Sequence, residues 1–288
     1  MEYILNLGIL FCIYSILALS LNMVVGMSGL LCLAQAAFYG IGAYATALCM
    51  TKLGMGFFST ILVGMAINAI IAYVVGIILS RFKGDLYAIV SAGLSIIVFS
   101  VLLNYKELTN GPLGVFGIEK PMIGSFTFYS NVDFLLLCIV FTTVTYGIYF
   151  VIDRSAFGRC LKAIREDEQL ASTFGYQTGH FKSIIFVLSA MLSGVAGALF
   201  ATYIAFIDPS TFQLKEGIFL FTIIIVGGLS SAWGSVVGAI ILISLPEALR
   251  FLGLPYETAA QFQQMIYGGM LILMMVIRPQ GLFGRYRM

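Results

Sequence analysis

Long apolar runs separated by short polar stretches set the pattern of this chain. A run of about 20 residues, rising about 1.5 Å per residue as an α-helix, crosses a hydrocarbon layer about 30 Å thick. The pattern predicts spans at 3–25, 29–50, 57–80, 86–104, 134–152 and 183–207, a Gly-broken pair within 218–249, and a span at 261–277. We therefore expect an all-α, polytopic transmembrane protein of about eight to nine membrane segments, including broken or re-entrant Gly-rich helices.

The composition strengthens this expectation. Of the 288 residues, 60% are hydrophobic and 10% are charged, and the mean hydropathy is +1.03. Soluble globular domains carry about 25% charged residues. Residues 1–288 are therefore interpreted as a single transmembrane domain embedded in a lipid bilayer. The sequence has no basic patch interleaved with aromatic residues, so it gives no reason to expect nucleic acid as a partner.

Basic residues predict the orientation, because Lys and Arg are retained on the cytoplasmic side. With Arg81, Lys83, the loop 153–182 and the C-terminal tail inside, ten basic residues are cytoplasmic and five are outside. A single crossing by 218–249 would leave the tail outside. We therefore predict two short membrane-embedded helices around the turn at 227–234. A tight packing elbow between two ordinary helices is the alternative for this turn.

Two Gly-interrupted segments, at 26–29 and 227–234, mark possible pathway elements. Paired broken segments in two halves of a transporter often point to its central site, whereas Gly spacing also serves close helix packing. Asn22 and Gln35 are polar side chains inside the first two spans, and an interhelical hydrogen bond is the alternative role for each. By position, the predicted path residues are Asn22, Ser28, Gln35, Tyr39, Gly227, Gly228, Ser230 and Gly234.

Charged residues are missing from the middle of every predicted span. A charge at the bilayer centre costs about 2.5–3.5 kcal/mol on insertion scales and is kept where ions or protons are relayed, so an ion-coupled secondary carrier is disfavoured. The sequence also lacks a metal-ligand cluster, a nucleophile with a plausible base and a phosphate-binding Gly-Lys loop. We expect no catalytic residue, no metal and no cofactor on this chain. If the protein uses ATP, another subunit binds it.

Charge is instead concentrated in the loop 153–182, where the stretch from Arg154 to Lys182 holds eight of the 28 charged residues. Asp153 or Ser155 can cap a helix that Gly175 ends, since Asp and Ser accept bonds from free amides and Gly tolerates the left-handed conformation. The sequence thus predicts one cytoplasmic helix over 155–175. Its apolar stripe would consist of Phe157, Leu161, Ile164, Ala171 and Phe174.

The polar face of the predicted helix includes Lys162 and Glu166, which are spaced to pair at i and i+4. The acidic run Glu166, Asp167 and Glu168 disfavours contact with anionic lipid, whereas mixed charge suits a protein groove. We therefore expect the helix to dock on a soluble partner. An interfacial helix on the lipid headgroups is the alternative.

The charged run RSAFGRCLKAIREDE at 154–168, followed by Ala171 and Gly175, resembles the cytoplasmic coupling segment of permease subunits of bacterial branched-chain amino-acid ABC importers. Three other parts of the sequence match the family in the same order along the chain. They are 20–30 with 36–44, 84–90 with 109–118, and 227–239. The similarity spans nearly the whole chain. The ATPase-docking residues expected on the matching segment are Ser155, Phe157, Gly158, Arg159, Ala163, Arg165, Glu166, Asp167 and Gly175.

The resemblance implies a multi-subunit importer in a bacterial cytoplasmic (inner) membrane. A second related permease, two cytoplasmic ATPase subunits holding ATP and Mg, and an extracytoplasmic solute-binding protein would complete it. Gln35 stands where many members have His, and Ile96 and Phe99 stand where acidic and basic residues are common. The solute therefore stays open between branched-chain or related amino acids and urea or amides. A sugar or nucleoside permease is a further alternative.

Overall fold

The computed structural model describes residues 2–82, 84–123, 126–127, 130–250, 256–278 and 280–284. Within these ranges the helices are α1 (Glu2–Ser28), α2 (Gln35–Leu53), α3 (Phe57–Leu79), α4 (Asp85–Asn104), α5 (Lys106–Thr109), α6 (Asn131–Arg154), α7 (Ala156–Glu166), α8 (Glu168–Thr173), α9 (Thr178–Ile204), α10 (Leu214–Gly227), α11 (Ala232–Arg250) and α12 (Tyr256–Ile277). The prediction of an all-α fold is confirmed. Of the basic residues used to predict the orientation, Lys83, Arg285 and Arg287 lie outside the described residues.

Short strands accompany the helices at one end of the bundle. The strand β1 (Val115–Phe116) pairs antiparallel with β4 (Phe206–Ile207), and β2 (Met122–Ile123) pairs antiparallel with β3 (Phe126–Thr127). Because β4 follows the last turn of α9, the β1–β4 pair lies at the end of α9 opposite the charged loop. The rings of Phe116 and Phe206 stack there with their centroids 4.5 Å apart.

Five of the described helices, α1, α3, α4, α6 and α9, are long and apolar enough to cross a membrane. The pair α10 and α11 qualifies together and bends by 119° at the intervening break. The two predicted helices on either side of the Gly-rich turn are thus present. The molecule is a multi-pass helical membrane protein, and the figure of eight to nine segments stays a prediction.

Helix α9 is the centre of the bundle and packs against α2 and α3, while α1 packs against α6, α9 and α11. Glycines allow the closest of these approaches. A Cβ on Gly42 would overlap the backbone of Gly194, and one on Gly197 would overlap the carbonyl of Tyr39. Such close contacts between small residues drive helix association in bilayers. Lipid tails are as apolar as the helix side chains, so the hydrophobic effect does not drive the helices together there.

Replacing Gly42 with alanine is expected to destabilise the fold, because the added methyl group forces α2 away from α9. Overpacking of this kind costs about 1–3 kcal/mol. Thermal unfolding of the purified protein in detergent measures the effect. Gly147→Ala in α6 is the matched control, since nothing lies within 4 Å of a Cβ at that position. Equal unfolding temperatures for both variants would contradict the proposed contact between α2 and α9.

The described part of the C-terminal tail folds back onto the break between α10 and α11. The amides of Leu282 and Phe283 donate to the carbonyls of Val226 and Gly227 at 3.0 and 2.9 Å. Gly228 at the break adopts a φ of +122°, and a Cβ there would collide with Gly284. The tail therefore supplies backbone donors to the end of α10. Irregular backbone is tolerated at membrane depth only when protein satisfies its polar groups in this way.

Candidate functional site

The charged loop contains two helices instead of the single helix predicted over 155–175. Helix α7 ends at Glu166, and α8 begins at Glu168. Between them Asp167 is extended, with φ −153° and ψ 104°, and its carboxylate accepts the amide of Leu170 at 2.9 Å. The single-helix prediction is wrong because Asp167 serves as the N-cap of a new helix. Ser155 caps α7 as expected, accepting the amide of Gly158 at 3.1 Å.

The break changes which apolar side chains of the loop are buried. Leu161, Ile164 and Ala171 of the predicted apolar stripe are buried within the protein. Phe157 stacks on Phe181 of α9, with 5.3 Å between the ring centroids. Phe174, in contrast, is 75% exposed, so the predicted apolar stripe is divided between buried and exposed side chains. A continuous helix would place Phe174 near the same stripe as Phe157, but the extended residue Asp167 interrupts the helix between them.

Ion pairs tie the loop to itself and to the bundle. The predicted pair of Lys162 with Glu166 is not the one observed, because Lys162 Nζ instead lies 2.6 Å from Asp153 Oδ1. In the same loop Lys182 Nζ lies 2.6 Å from Glu168 Oε1, and the Lys182 side chain is only 4% exposed. Since Lys182 belongs to α9, this buried pair attaches α8 to the central helix of the bundle.

Arg165 points into the protein and joins α7 to the end of α1. Its side chain is 9% exposed, and Nη1 donates to the backbone carbonyl of Gly26. The methylene groups of Arg165 pack on Gly29, where φ is +71° and a Cβ would lie 2.6 Å from Arg165 Cγ. The guanidinium also approaches Glu166 Oε1 at 3.2 Å. The contact of Arg165 with α1 has no signature in the sequence of the loop.

The predicted docking residues therefore fall into two groups. Ser155, Phe157, Gly158 and Arg165 face the protein; a Cβ on Gly158 would overlap the carbonyl of Ile152. The remaining predicted residues are exposed, namely Arg159, Ala163, Glu166, Asp167 and Gly175. Beside them lie two large exposed apolar side chains, Leu170 at 56% and Phe174 at 75%. Leu170 was not among the docking residues predicted from the sequence.

Asn22 holds the break between α10 and α11 with both ends of its amide. Its Nδ2 donates to Ser235 Oγ at 2.7 Å and to the Ser231 carbonyl at 3.1 Å, while Oδ1 accepts the amide of Ser230 at 2.9 Å. A Cβ on Gly26 would overlap both Asn22 Oδ1 and the Ser230 backbone. The two Gly-interrupted segments singled out in the sequence thus touch each other, and the interhelical hydrogen bond named as the alternative role of Asn22 is present.

Gln35 forms a second buried polar cluster on another side of α1. Its Nε2 donates to Ser20 Oγ at 2.6 Å, to Ser189 Oγ at 3.2 Å and to Ser193 Oγ. Ser189 and Ser193 of α9 and Ser235 of α11 were missed in the sequence. The signal for the two serines of α9 is a pair of hydroxyls spaced by four residues on one face of an otherwise apolar helix.

The other predicted path residues serve several local contacts. Tyr39 lies edge-on to Phe212 with the ring centroids 5.0 Å apart, and Ser28 donates to the Val24 carbonyl at 2.6 Å. The backbones of Gly227 and Gly234 touch. All of the predicted path residues are buried. Among them, Ser230 lines a cavity of about 140 Å³ next to the charged loop, and Asp153 and Arg154 line the same cavity.

A chain of contacts therefore runs from the charged loop to the broken helix pair. It passes from Arg165 to Gly26, from Gly26 to the adjacent Asn22, and from Asn22 to Ser230 and Ser231. The first and last links are hydrogen bonds, and Gly26 and Asn22 are one turn apart in α1. The charged loop, the end of α1 and the break are thus connected through buried or partly buried groups.

Comparison with known proteins identifies the family. A family model described as the permease component of branched-chain amino acid transport systems matches residues 3–275. The chain belongs to this family. The permease is 34% identical to LivM of Salmonella typhimurium (strain LT2), with 94% of this chain and 67% of the relative covered. The corresponding figures are 35%, 94% and 67% for LivM of Escherichia coli (strain K12), and 27%, 94% and 92% for BraD of Pseudomonas aeruginosa. No solved structure matches the permease.

The names of these relatives are consistent with the multi-pass membrane architecture of this chain. Each is named as a high-affinity branched-chain amino acid transport system permease protein. The permease is thus a multi-pass membrane transport protein and a component of a larger transport system. The family resemblance inferred from the ordered sequence segments is confirmed.

Proposed function

We propose that this permease translocates branched-chain or related amino acids as the membrane subunit of an ATP-binding-cassette importer in a bacterial cytoplasmic membrane. The observation that carries the proposal is the family match over 3–275. The working complex would add a second related permease, two cytoplasmic ATPase subunits and an extracytoplasmic binding protein. ATP and Mg would be held by the ATPase subunits.

The loop 153–182 is the proposed coupling element for those ATPases. Leu170 and Phe174 expose large apolar side chains beside the acidic pair Glu166 and Asp167. Exposed apolar groups rimmed by polar residues are typical of protein interaction sites. The less exposed charges of the loop, such as Lys182 and Asp153, already form ion pairs within the protein. The surface that carries Leu170 and Phe174 is therefore the proposed contact for the ATPase subunit.

The mechanism follows from how the loop is attached. An ATPase that moves α8 also moves α9, because the buried pair of Lys182 and Glu168 links them. Movement of α7 reaches the end of α1 through Arg165 and continues through Asn22 to the break between α10 and α11. We propose that a change in this break alternates access to the solute pathway between the two permeases. Packed elements with discrete arrangements are the usual carriers of such coupling.

ATP-dependent uptake of radiolabelled leucine into vesicles carrying the complete complex tests the transport function. Uptake that needs ATP, the binding protein and this permease together would support the proposal. Uptake by the purified permease alone, driven by an ion gradient, would instead identify a secondary carrier. Calorimetry on the binding protein with leucine, urea and a sugar separates the amino-acid importer from the other solute classes.

The coupling surface has its own test in the double variant Leu170→Glu, Phe174→Glu. Two carboxylates at the proposed interface are expected to weaken ATPase association about ten-fold or more, since unpaired charges oppose burial. Co-purification of the ATPase subunits with tagged permease measures this. Leu113→Glu, at a residue 75% exposed on the opposite end of the bundle, is the control. Undiminished co-purification of the double variant would place the docking site elsewhere.

A further inference from the structure

A largely apolar cleft with a few polar side chains lies at the end of the bundle opposite the charged loop, outside the contacts described so far. Its volume is about 370 Å³, and it is enclosed by the first half of α1, the start of α10, the end of α11 and the middle of α12. This volume falls within the range of about 300–1,000 Å³ typical of small-molecule sites. If the charged loop is cytoplasmic, the cleft is on the side where a binding protein releases its solute.

The cleft brings two acids and a base to one largely apolar space. Lys215 and Glu216 from the start of α10 and Glu247 from the end of α11 line it, and Glu216 Oε1 accepts the hydroxyl of Tyr14 at 2.7 Å. The adjoining wall is aliphatic and includes Leu7, Leu10 and Ile243. The sequence prediction started this helix at residue 218 and therefore left Glu216 outside the membrane segment. In the structure α10 begins at Leu214 and includes it.

Glu216 has a plain structural explanation as an acidic residue in the first turn of a helix, where the helix dipole favours negative charge. That explanation accounts for the carboxylate alone. It does not account for a cleft that also presents the amine of Lys215, the carboxylate of Glu247, the amide of Gln264 and the phenol of Tyr14. Pockets that combine apolar walls with a few convergent polar groups are the usual form of a ligand site.

We propose that this cleft is a binding site for the zwitterionic amino acid on its way into the pathway. Glu216 binds the α-ammonium group, Lys215 binds the α-carboxylate, and Leu7, Leu10 and Ile243 contact the aliphatic side chain. The site rests on the proposed function, because it specifies the solute class that such an importer carries. It also differs from the residues predicted from the broken segments, none of which lines this cleft.

Equilibrium binding of radiolabelled leucine to the purified complex of permease and ATPase subunits, without the binding protein, tests the site. Glu216→Gln and Lys215→Met are each expected to weaken binding about ten-fold or more, because each removes one of two charge-assisted contacts. Glu119→Gln is the matched control, since Glu119 is an exposed acid that does not line the cleft. It should bind leucine like the native complex.

Competitors lacking one charge sharpen the assignment of the two contacts. For the native complex, 3-methylbutylamine, which has no carboxylate, and 4-methylpentanoate, which has no ammonium group, should both compete less well than leucine. In Glu216→Gln the disadvantage of 4-methylpentanoate should disappear, and in Lys215→Met that of the amine should disappear. A variant that merely misfolds would weaken all three ligands together.

Leu10→Phe provides a second, uncharged variant that fills part of the cleft. It is expected to reduce leucine binding more than alanine binding, because only the longer side chain needs the space. Unchanged leucine binding in Glu216→Gln, Lys215→Met and Leu10→Phe, with normal transport by the native complex, would overturn the cleft assignment alone. Failure of the native complex to transport or bind leucine would overturn the proposed function and this site with it.

Discussion

Arg165→Met is expected to reduce ATP-driven uptake about ten-fold or more while the complex still assembles. Methionine keeps the aliphatic packing on Gly29 but removes the hydrogen bond to the Gly26 carbonyl. A buried acceptor left without its donor costs about 1–3 kcal/mol, and about 1.4 kcal/mol is ten-fold in an equilibrium. The affected link is the one through which we propose that α7 moves α1. Uptake per ATP hydrolysed in reconstituted vesicles measures the loss.

Arg81→Met is the control for Arg165→Met. Arg81 is exposed, follows the end of α3 and is not among the predicted docking residues. The control should retain the native ratio of uptake to hydrolysis. Arg165→Lys should recover part of the coupling, since it restores a single charged donor. If Arg165→Met and Arg81→Met transport alike, the link from Arg165 to Gly26 does not carry the coupling.

Asn22→Leu is expected to lower the free energy of unfolding by about 2–5 kcal/mol, the largest stability effect proposed for this chain. Leucine has nearly the same volume as asparagine but cannot form the two buried hydrogen bonds that Asn22 makes with the Ser230 amide and the Ser235 hydroxyl. Polar groups in a membrane interior cannot turn to water instead. Thermal unfolding in detergent and ATP-driven uptake should both decline.

Asn104→Leu tests whether the loss of any asparagine in a membrane helix has the same effect. Asn104 Nδ2 donates within its own helix to the Ser100 carbonyl at 2.8 Å, at an exposed position. This control should unfold within about 0.5 kcal/mol of the native protein, as surface substitutions usually do. Comparable losses for Asn22→Leu and Asn104→Leu would mean that the break does not depend on Asn22.

The apolar spans were predictable because an apolar run in lipid has one conformation that satisfies its backbone. The predicted spans 57–80 and 86–104 correspond to α3 (Phe57–Leu79) and α4 (Asp85–Asn104). The predicted ends of the helices are less accurate where a capping residue determines the first helical residue. Helix α6 begins at Asn131, ahead of the predicted 134, because Ser130 Oγ accepts the amide of Val132 at 3.3 Å.

The candidate site was only partly predictable, because the deciding contacts join distant parts of the chain. Hydrophobic periodicity indicates which face of a helix is buried, but it does not identify the partner. Arg165 therefore looked like a surface residue, although it binds Gly26 in the first helix. Glu216 was excluded from its span because charge usually marks a membrane boundary. In both cases the polar group is satisfied by a residue that no local pattern can reveal.

The bonds of Asn22 also constrain the order in which the permease can be completed during synthesis. Its partners at Ser230 and Ser235 lie 208 and 213 positions later in the chain. At about 5–20 residues per second, roughly 10–40 s separate the synthesis of Asn22 from that of its partners. For that interval the first helix carries an amide without its final partners. The bonds that join the first helix to the break can therefore form only after α11 has been synthesised.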